Sequence, residues 1–185
     1  MNEQHAALLH HAPHSQKPAD TWARLCCEQA ILAVEHGCYG VGAVLVNQAH
    51  ELLCSARNQV FVDDHYNSSG HAEMQLLDTL EAEHPQQDRS VLTLYVSLQP
   101  CLMCYGRILL AGIPRVRYLA VDKPGGFTGK GLPPAWAELA AHTSIHQARV
   151  DSYWINLAEQ AISTLQDRQV MRQRVLSAWR GTLQP

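Results

Sequence analysis

Apolar residues recur at helical spacing early in the chain. Trp22, Cys26, Ala30, Ala33 and Val34 share one face, which predicts an amphipathic helix over residues 20–36. Pro18 and Asp20 supply its start and Gly37 its end. The period then changes. "VGAVLVN" (41–47) and "ELLCSARN" (51–58) are apolar runs of strand length around a short polar connection, which predicts a hairpin. "QVFVDDHYNSSG", polar and aromatic, reads as a loop. From His71, "HAEMQLLDTLEAE" returns to helical spacing, with Met74, Leu77 and Leu80 on one face. "VLTLYVS" (91–97) is β-branched and aromatic, hence a strand. Pro100 closes it, and "CLMCYGRILLAG" is a helix ended by Gly112. "VRYLAVD" (116–122) predicts another strand, "AWAELAAH" a short helix and "SIHQARV" a short strand. From Ser152 the set Trp154, Leu157, Ala158, Ala161 and Leu165 loses phase near Asp167 and resumes at Met171, Val175 and Trp179, so the end is one long helix or two.

Helices alternating with strands after the hairpin imply parallel strands joined by right-handed crossovers. The expected fold is α/β: a three-layer α/β/α arrangement around a mixed five-stranded sheet. Ligands in such sheets gather at strand carboxyl ends and helix starts. His71 and Cys101 both stand where a loop becomes a helix, which is the first sign that they meet. Residues 1–17 read as a disordered polar tail, its histidines His5, His10, His11 and His14 included. Residues 18–185 then form a single domain with a C-terminal helical extension. "KPGGFTGKGLPP", with four glycines and three prolines, reads as a mobile loop.

Composition narrows this picture. A chain of 185 residues with 46% hydrophobic content fits one domain with a substantial core. A formal net charge of −3 argues against a strongly basic nucleic-acid binder and leaves room for a local basic patch. No apolar run approaches the roughly 20 residues of a membrane span, and "MNEQHAALLHHAPHSQ" is unlike a secretory signal, so a cytoplasmic protein is expected. The six cysteines are too sparse for a disulfide framework and read as reduced thiols.

Two of those cysteines carry candidate chemistry. Zinc accepts imidazole nitrogen and thiolate sulfur, and a catalytic zinc keeps one tetrahedral position for water. His71, Cys101 and Cys104 make three ligands, while Cys38 and Cys54 lie in other elements. The C-x-x-C spacing at a helix start lets both sulfurs face one ion, and the positive helix end favours thiolates. Water's pKa of about 15.7 falls towards neutrality on such a centre. Two thiolates weaken that effect, so a nearby base must finish the deprotonation, and Glu73 is placed to do so. Either motif alone is weak. H-A-E opening one helix and P-C-x-x-C opening the next, with a strand between, matches the signature of zinc deaminases.

From about Val41 to Asp122 the chain resembles the cytidine and deoxycytidylate deaminase superfamily, on "GVGAVLV", "SARNQV", "GHAEM", "LYVSLQPCLMC" and "GRILLAGIPRVRYLAVD". It is most similar to the branch of tRNA adenosine, guanine and fungal-type cytosine deaminases. The resemblance implies one zinc on His71, Cys101 and Cys104, Glu73 as proton shuttle, and substrate hydrogen bonds from Asn58 and the Ala72 backbone N–H. It also implies a homodimer. Two departures concern the substrate: Gln99 stands where the tRNA enzymes carry glutamate, and Asn67–Ser68–Ser69–Gly70 replaces their D-P-T-A. Arg168, Arg172, Arg174 and Arg180 read as a solvated helix face, Phe127 as a ring that stacks on substrate or a loose surface aromatic, and Tyr105 as pocket or core. The expected activity is hydrolytic deamination of a nucleobase, nucleoside or related small aminoheterocycle. The alternatives are A-to-I editing of tRNA and a non-catalytic, zinc-stabilised binding module.

Overall fold

The computed structural model describes residues 3–13, 17–62, 65–127, 129–163, 165 and 167–183. Its main elements are α1 (Glu3–His10), α2 (Pro18–Glu35), β1 (Gly42–Val46), β2 (Leu52–Arg57), β3 (Phe61–Val62), β4 (His65–Tyr66) and α3 (Ala72–Glu83). They continue with β5 (Thr93–Leu98), α4 (Leu102–Leu110), β6 (Arg115–Ala120), α5 (Pro134–Ala140), β7 (Ser144–Gln147), α6 (Ser152–Ser163) and α7 (Arg168–Trp179). The main sheet has the order β2-β1-β5-β6-β7. β1 pairs antiparallel with β2 and β5, while β5, β6 and β7 are parallel, which gives the mixed sheet expected.

β1 explains the layering. All five of its residues are buried, as a strand covered on both faces requires. Period-two alternation sends Val44 and Val46 into one core with Trp22, Cys26, Trp154 and Leu157, contributed by α2 and α6. Ala43 and Leu45 enter the other with Leu76, Leu77 and Leu80 of α3 and Ile108 of α4. Each fully buried leucine there contributes roughly 1.5–3 kcal/mol relative to exposure. At Gly42 a Cβ would stand 2.3 Å from the Cys26 carbonyl oxygen, so α2 can lie this close to β1 only over a glycine.

β2, β5 and β6 finish at one end of the sheet, where β1 begins. That end carries the candidate site. The Gly42 N–H donates to Ser97 Oγ at 3.0 Å and the Asn58 N–H to the Val41 carbonyl at 2.9 Å, which ties three strands together there.

Two expectations change, and one open choice is decided. Glu3–His10 is a helix rather than a disordered extension: Leu9 is buried with Leu8 and Ala12 beside it, the Tyr153 hydroxyl donates to the Leu8 carbonyl, and His5 Nδ1 lies 2.9 Å from Glu35 Oε1. Two leucines anchor it, too few for a legible periodicity. His14 lies outside the described residues. Within the expected loop, Phe61 and Val62 pair with Tyr66 and His65 in a two-residue ladder, too short for alternation to reveal. The phase break at Asp167 separates two helices, because the Asp167 carboxylate caps α7 by accepting from the Gln169 and Val170 N–H groups. Among the described residues no helix is long and apolar enough to cross a membrane.

Candidate active site

His71 is the N-cap of α3 and Cys101 the N-cap of α4. Such positions favour Ser, Thr, Asp or Asn, whose side chains bond the helix's free N–H groups. Neither His71 nor Cys101 makes that bond, so imidazole and thiol are free for another partner. The two helix starts converge. His71 Nδ1 lies 3.7 Å from Cys101 Sγ and 3.5 Å from Cys104 Sγ, and all three donor atoms fall within 4.8 Å of one another.

This donor set fits zinc. Zn–N near 2.05 Å and Zn–S near 2.3 Å at a tetrahedral angle put nitrogen and sulfur about 3.6 Å apart. The charges fit as well. The Cys104 thiol donates to Cys101, which, with His71 beside it, brings the Cys101 thiol down to about 4. The same bond, with burial, drives Cys104 far up. Without a cation only one of the two sulfurs is therefore a thiolate, and both can ionise together only with a cation between them. Among the described residues no fourth His, Cys, Asp or Glu joins the cluster, so a tetrahedral ion here keeps one position for a non-protein ligand.

The cluster forms one wall of a cavity of about 690 Å³, within the range of small-molecule sites. Glu73, two residues into α3, lines it beside His71 and Cys101 and is 3% exposed. Burial lifts its carboxyl above the ordinary range, while its own backbone N–H and His71 pull the other way. Asn58, 2% exposed, lines the cavity where β2 ends. Its Oδ1 accepts from the Val60 N–H at 3.0 Å, which fixes the amide and leaves the NH₂ as a donor for a ligand. Ala72 is the first residue of α3, where a backbone N–H has no partner within the helix. Its side chain is buried and does not line the cavity.

One part of the lining was not foreseen. α7 lies across the cavity and contributes Arg168, Met171, Arg172, Val175, Leu176 and Trp179. Arg168 and Arg172 stand on the cavity rim, whereas the Arg174 guanidinium covers the Phe61 ring at 4.2 Å and donates to the Gly37 carbonyl. Arg168, Arg172 and Arg180 are all exposed, as a solvated face requires, and the first two also line the cavity; Arg174 is the one that departs from that reading. The apolar positions Met171 and Val175 were the available signal, since an apolar stripe on a helix needs a partner.

Gln99, at the end of β5, also lines the cavity. Gly126 approaches it so closely that a Cβ there would stand 2.6 Å from Gln99 Oε1. Phe127 and Tyr105 do not line the cavity: their rings meet edge to face at 5.0 Å, and Tyr105 is buried. The Phe127 N–H donates to the Pro100 carbonyl at 2.9 Å and Gly126 bridges to Cys101, so the glycine-rich segment is tied to the start of α4.

A histidine–dithiolate cluster at the strand ends of a mixed sheet, with a buried carboxylate beside it, defines a site of the zinc-deaminase kind. The chain belongs to the family described as the cytidine and deoxycytidylate deaminase zinc-binding region, whose model matches residues 16–120. Among curated relatives it is 34% identical over 102 residues to a tRNA-specific adenosine deaminase of Bacillus subtilis, covering 55% of this chain and 62% of that one. It is 30% identical over 124 residues to tRNA-specific adenosine deaminase 2 of Danio rerio, covering 64% of this chain and 56% of that one. The chain thus spans about three-fifths of the length of these relatives. A guanine deaminase from Nitrosomonas europaea shares the fold, with a TM-score of 0.63, 16% identity, and coverage of 88% of this chain and 94% of that one.

Proposed function

We propose that the chain is a zinc-dependent hydrolytic deaminase that converts an amino group on a small nucleobase-like substrate to a carbonyl and releases ammonia. One observation supports this above the rest: His71 stands 3.5 and 3.7 Å from two sulfurs, with Glu73 buried beside them in the same cavity. His71, Cys101 and Cys104 would hold the zinc, which supplies Lewis-acid activation of a water. Glu73 would take the proton of that water and deliver it to a ring nitrogen as the oxygen adds to the amino-bearing carbon, then carry the proton of the new hydroxyl to the amine, so that the C–N bond breaks, ammonia leaves and the carbonyl forms. Burial raises its proton affinity towards the working pH, as a shuttle requires. The Asn58 amide NH₂ and the Ala72 N–H donate to acceptors on the substrate and set its face towards the water.

Ammonia release across cytosine, guanine, adenine and their nucleosides tests this reading. Activity on at least one member is expected. A second reading, A-to-I editing of tRNA, is favoured by the relatives' stated substrate at 30–34% identity. Gln99, the acidic balance of the chain and the α7 wall favour a small substrate. Inactivity on every small substrate, with inosine formed in bound tRNA, would establish editing. A binding module without turnover has no use for a buried Glu73 at the cluster.

A homodimer is part of the proposal. Leu102 and Leu110, 63% and 64% exposed, flank Gly106 on the outer face of α4 and, with Trp136, line an apolar groove of about 420 Å³ that a second copy would cover. Light scattering should give twice the chain mass, and Leu110→Asp should reduce it to one.

A further inference from the structure

The part of the cavity lined by α7 has a chemistry of its own. Arg168 and Arg172 are four residues apart on α7, hence neighbours on one helix face, and both line the cavity. Both are exposed, and no described carboxylate lies within ion-pair reach of either. Asp167, next to Arg168 in the chain, is engaged in capping the helix through the Gln169 and Val170 N–H groups at 2.8 and 3.2 Å. Arg174, two residues beyond Arg172, shows what a structural arginine looks like here, held between the Phe61 ring and the Gly37 carbonyl. Met171 is buried against Ala33, Cys38, Val60 and Phe61, so the helix that presents the two guanidinium groups is docked on the domain.

The cavity is therefore polar at two places and apolar between. His71, Glu73 and Cys101 line it from the starts of α3 and α4, Arg168 and Arg172 line it from α7, and Val175, Leu176, Val41 and Ile162 provide apolar lining. Asp122 is the other described carboxylate of the lining, and its Oδ1 accepts from the Gly125 N–H at 3.2 Å within its own loop. Each guanidinium is a planar fork of N–H donors that can pair with two oxygens of a tetrahedral phosphate, and two such groups side by side favour a polyanionic ligand over a neutral one.

We propose that Arg168 and Arg172 clamp a phosphate attached to the substrate's sugar, so that the preferred substrate is a phosphorylated nucleoside with its base at the metal cluster. The inference rests on the deaminase reading for the direction in which the substrate lies. The phosphate could be the monoester of a free nucleotide or a diester of single-stranded nucleic acid, and the two are separable by experiment.

Calorimetric binding to full-length Glu73→Gln protein tests the clamp without turnover. Cytidine, adenosine and guanosine are compared with their 5′-monophosphates and with single-stranded trinucleotides. At least one monophosphate or trinucleotide should bind about tenfold or more tightly than its nucleoside, and adding Arg168→Ala and Arg172→Ala should cost roughly tenfold per arginine. Lysine at both positions should keep part of the preference, since the charge remains and the fork is lost. The melting temperature of the double alanine variant confirms that it folds. Equal binding of nucleoside and monophosphate, no measurable binding of either phosphorylated probe, or a preference that survives the double alanine change overturns the clamp. A trinucleotide that binds more tightly than the monophosphate, and loses as much in the double variant, assigns the phosphate to a polynucleotide. Ammonia release by the unaltered protein is read separately. Phosphate preference with no release from any probe would leave the clamp and remove the deaminase reading; release without preference would do the reverse.

Discussion

The two walls of the cavity are held in different ways. The metal-ligand wall consists of helix starts set directly on strand ends: the Gln99 N–H donates to the Ala120 carbonyl at 2.9 Å, and Cys101 follows two residues later. Behind it, α3 and α4 bury Leu76, Leu77, Leu80 and Ile108 completely against the sheet. The α7 wall is a single helix, fixed by Met171 in a small cluster and by Arg174 on Phe61 and Gly37. The family model stops at residue 120 and so covers the first wall without the second. Chemistry shared across a family requires donor atoms fixed to within a few tenths of an ångström, which a sheet edge provides. Choice of substrate can reside on a segment that varies, because repacking one helix leaves the ligand geometry untouched.

The strongest way to break this comparison is to strike the first wall at two points. Cys101→Ala removes one of three donors, and zinc content should fall from one per chain towards zero, with turnover lost. Glu73→Gln should keep the zinc and lower turnover by about 10²–10⁴-fold, the range of a general acid–base group. Metal analysis beside an ammonia assay reads both. Zinc lost with the carboxylate would mean that Glu73 is a ligand, and the division of roles would fail.

The second wall should respond in the opposite sense. Met171→Ala empties a buried site and should cost about 2–5 kcal/mol of stability, mostly through α7. Zinc content should stay near one per chain while KM rises. Denaturant midpoints, metal analysis and steady-state kinetics give the three readouts. If zinc falls in step with stability, the walls are one cooperative unit and the comparison is wrong.

The same contrast explains what could be read from the residues alone. β1 was legible because a strand buried on both faces is a dense apolar run, β5 because β-branched and aromatic residues fill it, and the α6–α7 break because a capping aspartate interrupts the phase. His71, Glu73, Cys101 and Cys104 were legible because a metal constrains residue type and spacing together. The α7 wall was not, since periodicity reveals an apolar face but not the surface that receives it. Four arginines of the same type took three roles: Arg174 on an aromatic ring, Arg168 and Arg172 on the cavity rim, Arg180 in solvent. Phe127 was misread for a related reason. Its loop is drawn back to Pro100 and Cys101 by backbone bonds that no side-chain pattern announces.

The smallest effect concerns the brace between the two helices that begin at His71 and Cys101. Arg107 of α4 donates to Glu81 Oε2 at 2.7 Å, Glu81 Oε1 at 2.8 Å and Asp78 Oδ1 at 3.1 Å, both acceptors on α3. The guanidinium holds the Glu81 carboxyl below its ordinary value. Both partners are partly in water, so the network should contribute less than about 1 kcal/mol. Its sign with pH follows from the direction of the shift. The contribution is full above the unfolded glutamate value of about 4.3, and it is lost as pH falls through the lower folded value. Arg107→Ala should therefore show a small deficit in chemical denaturation at pH 7, shrinking below about pH 4 and in high salt. Zinc content should not change, because the strand ends, and not this surface pairing, set the separation of His71 from the sulfurs. A variant that lost zinc at pH 7 would show that the sheet alone does not hold the metal-ligand wall.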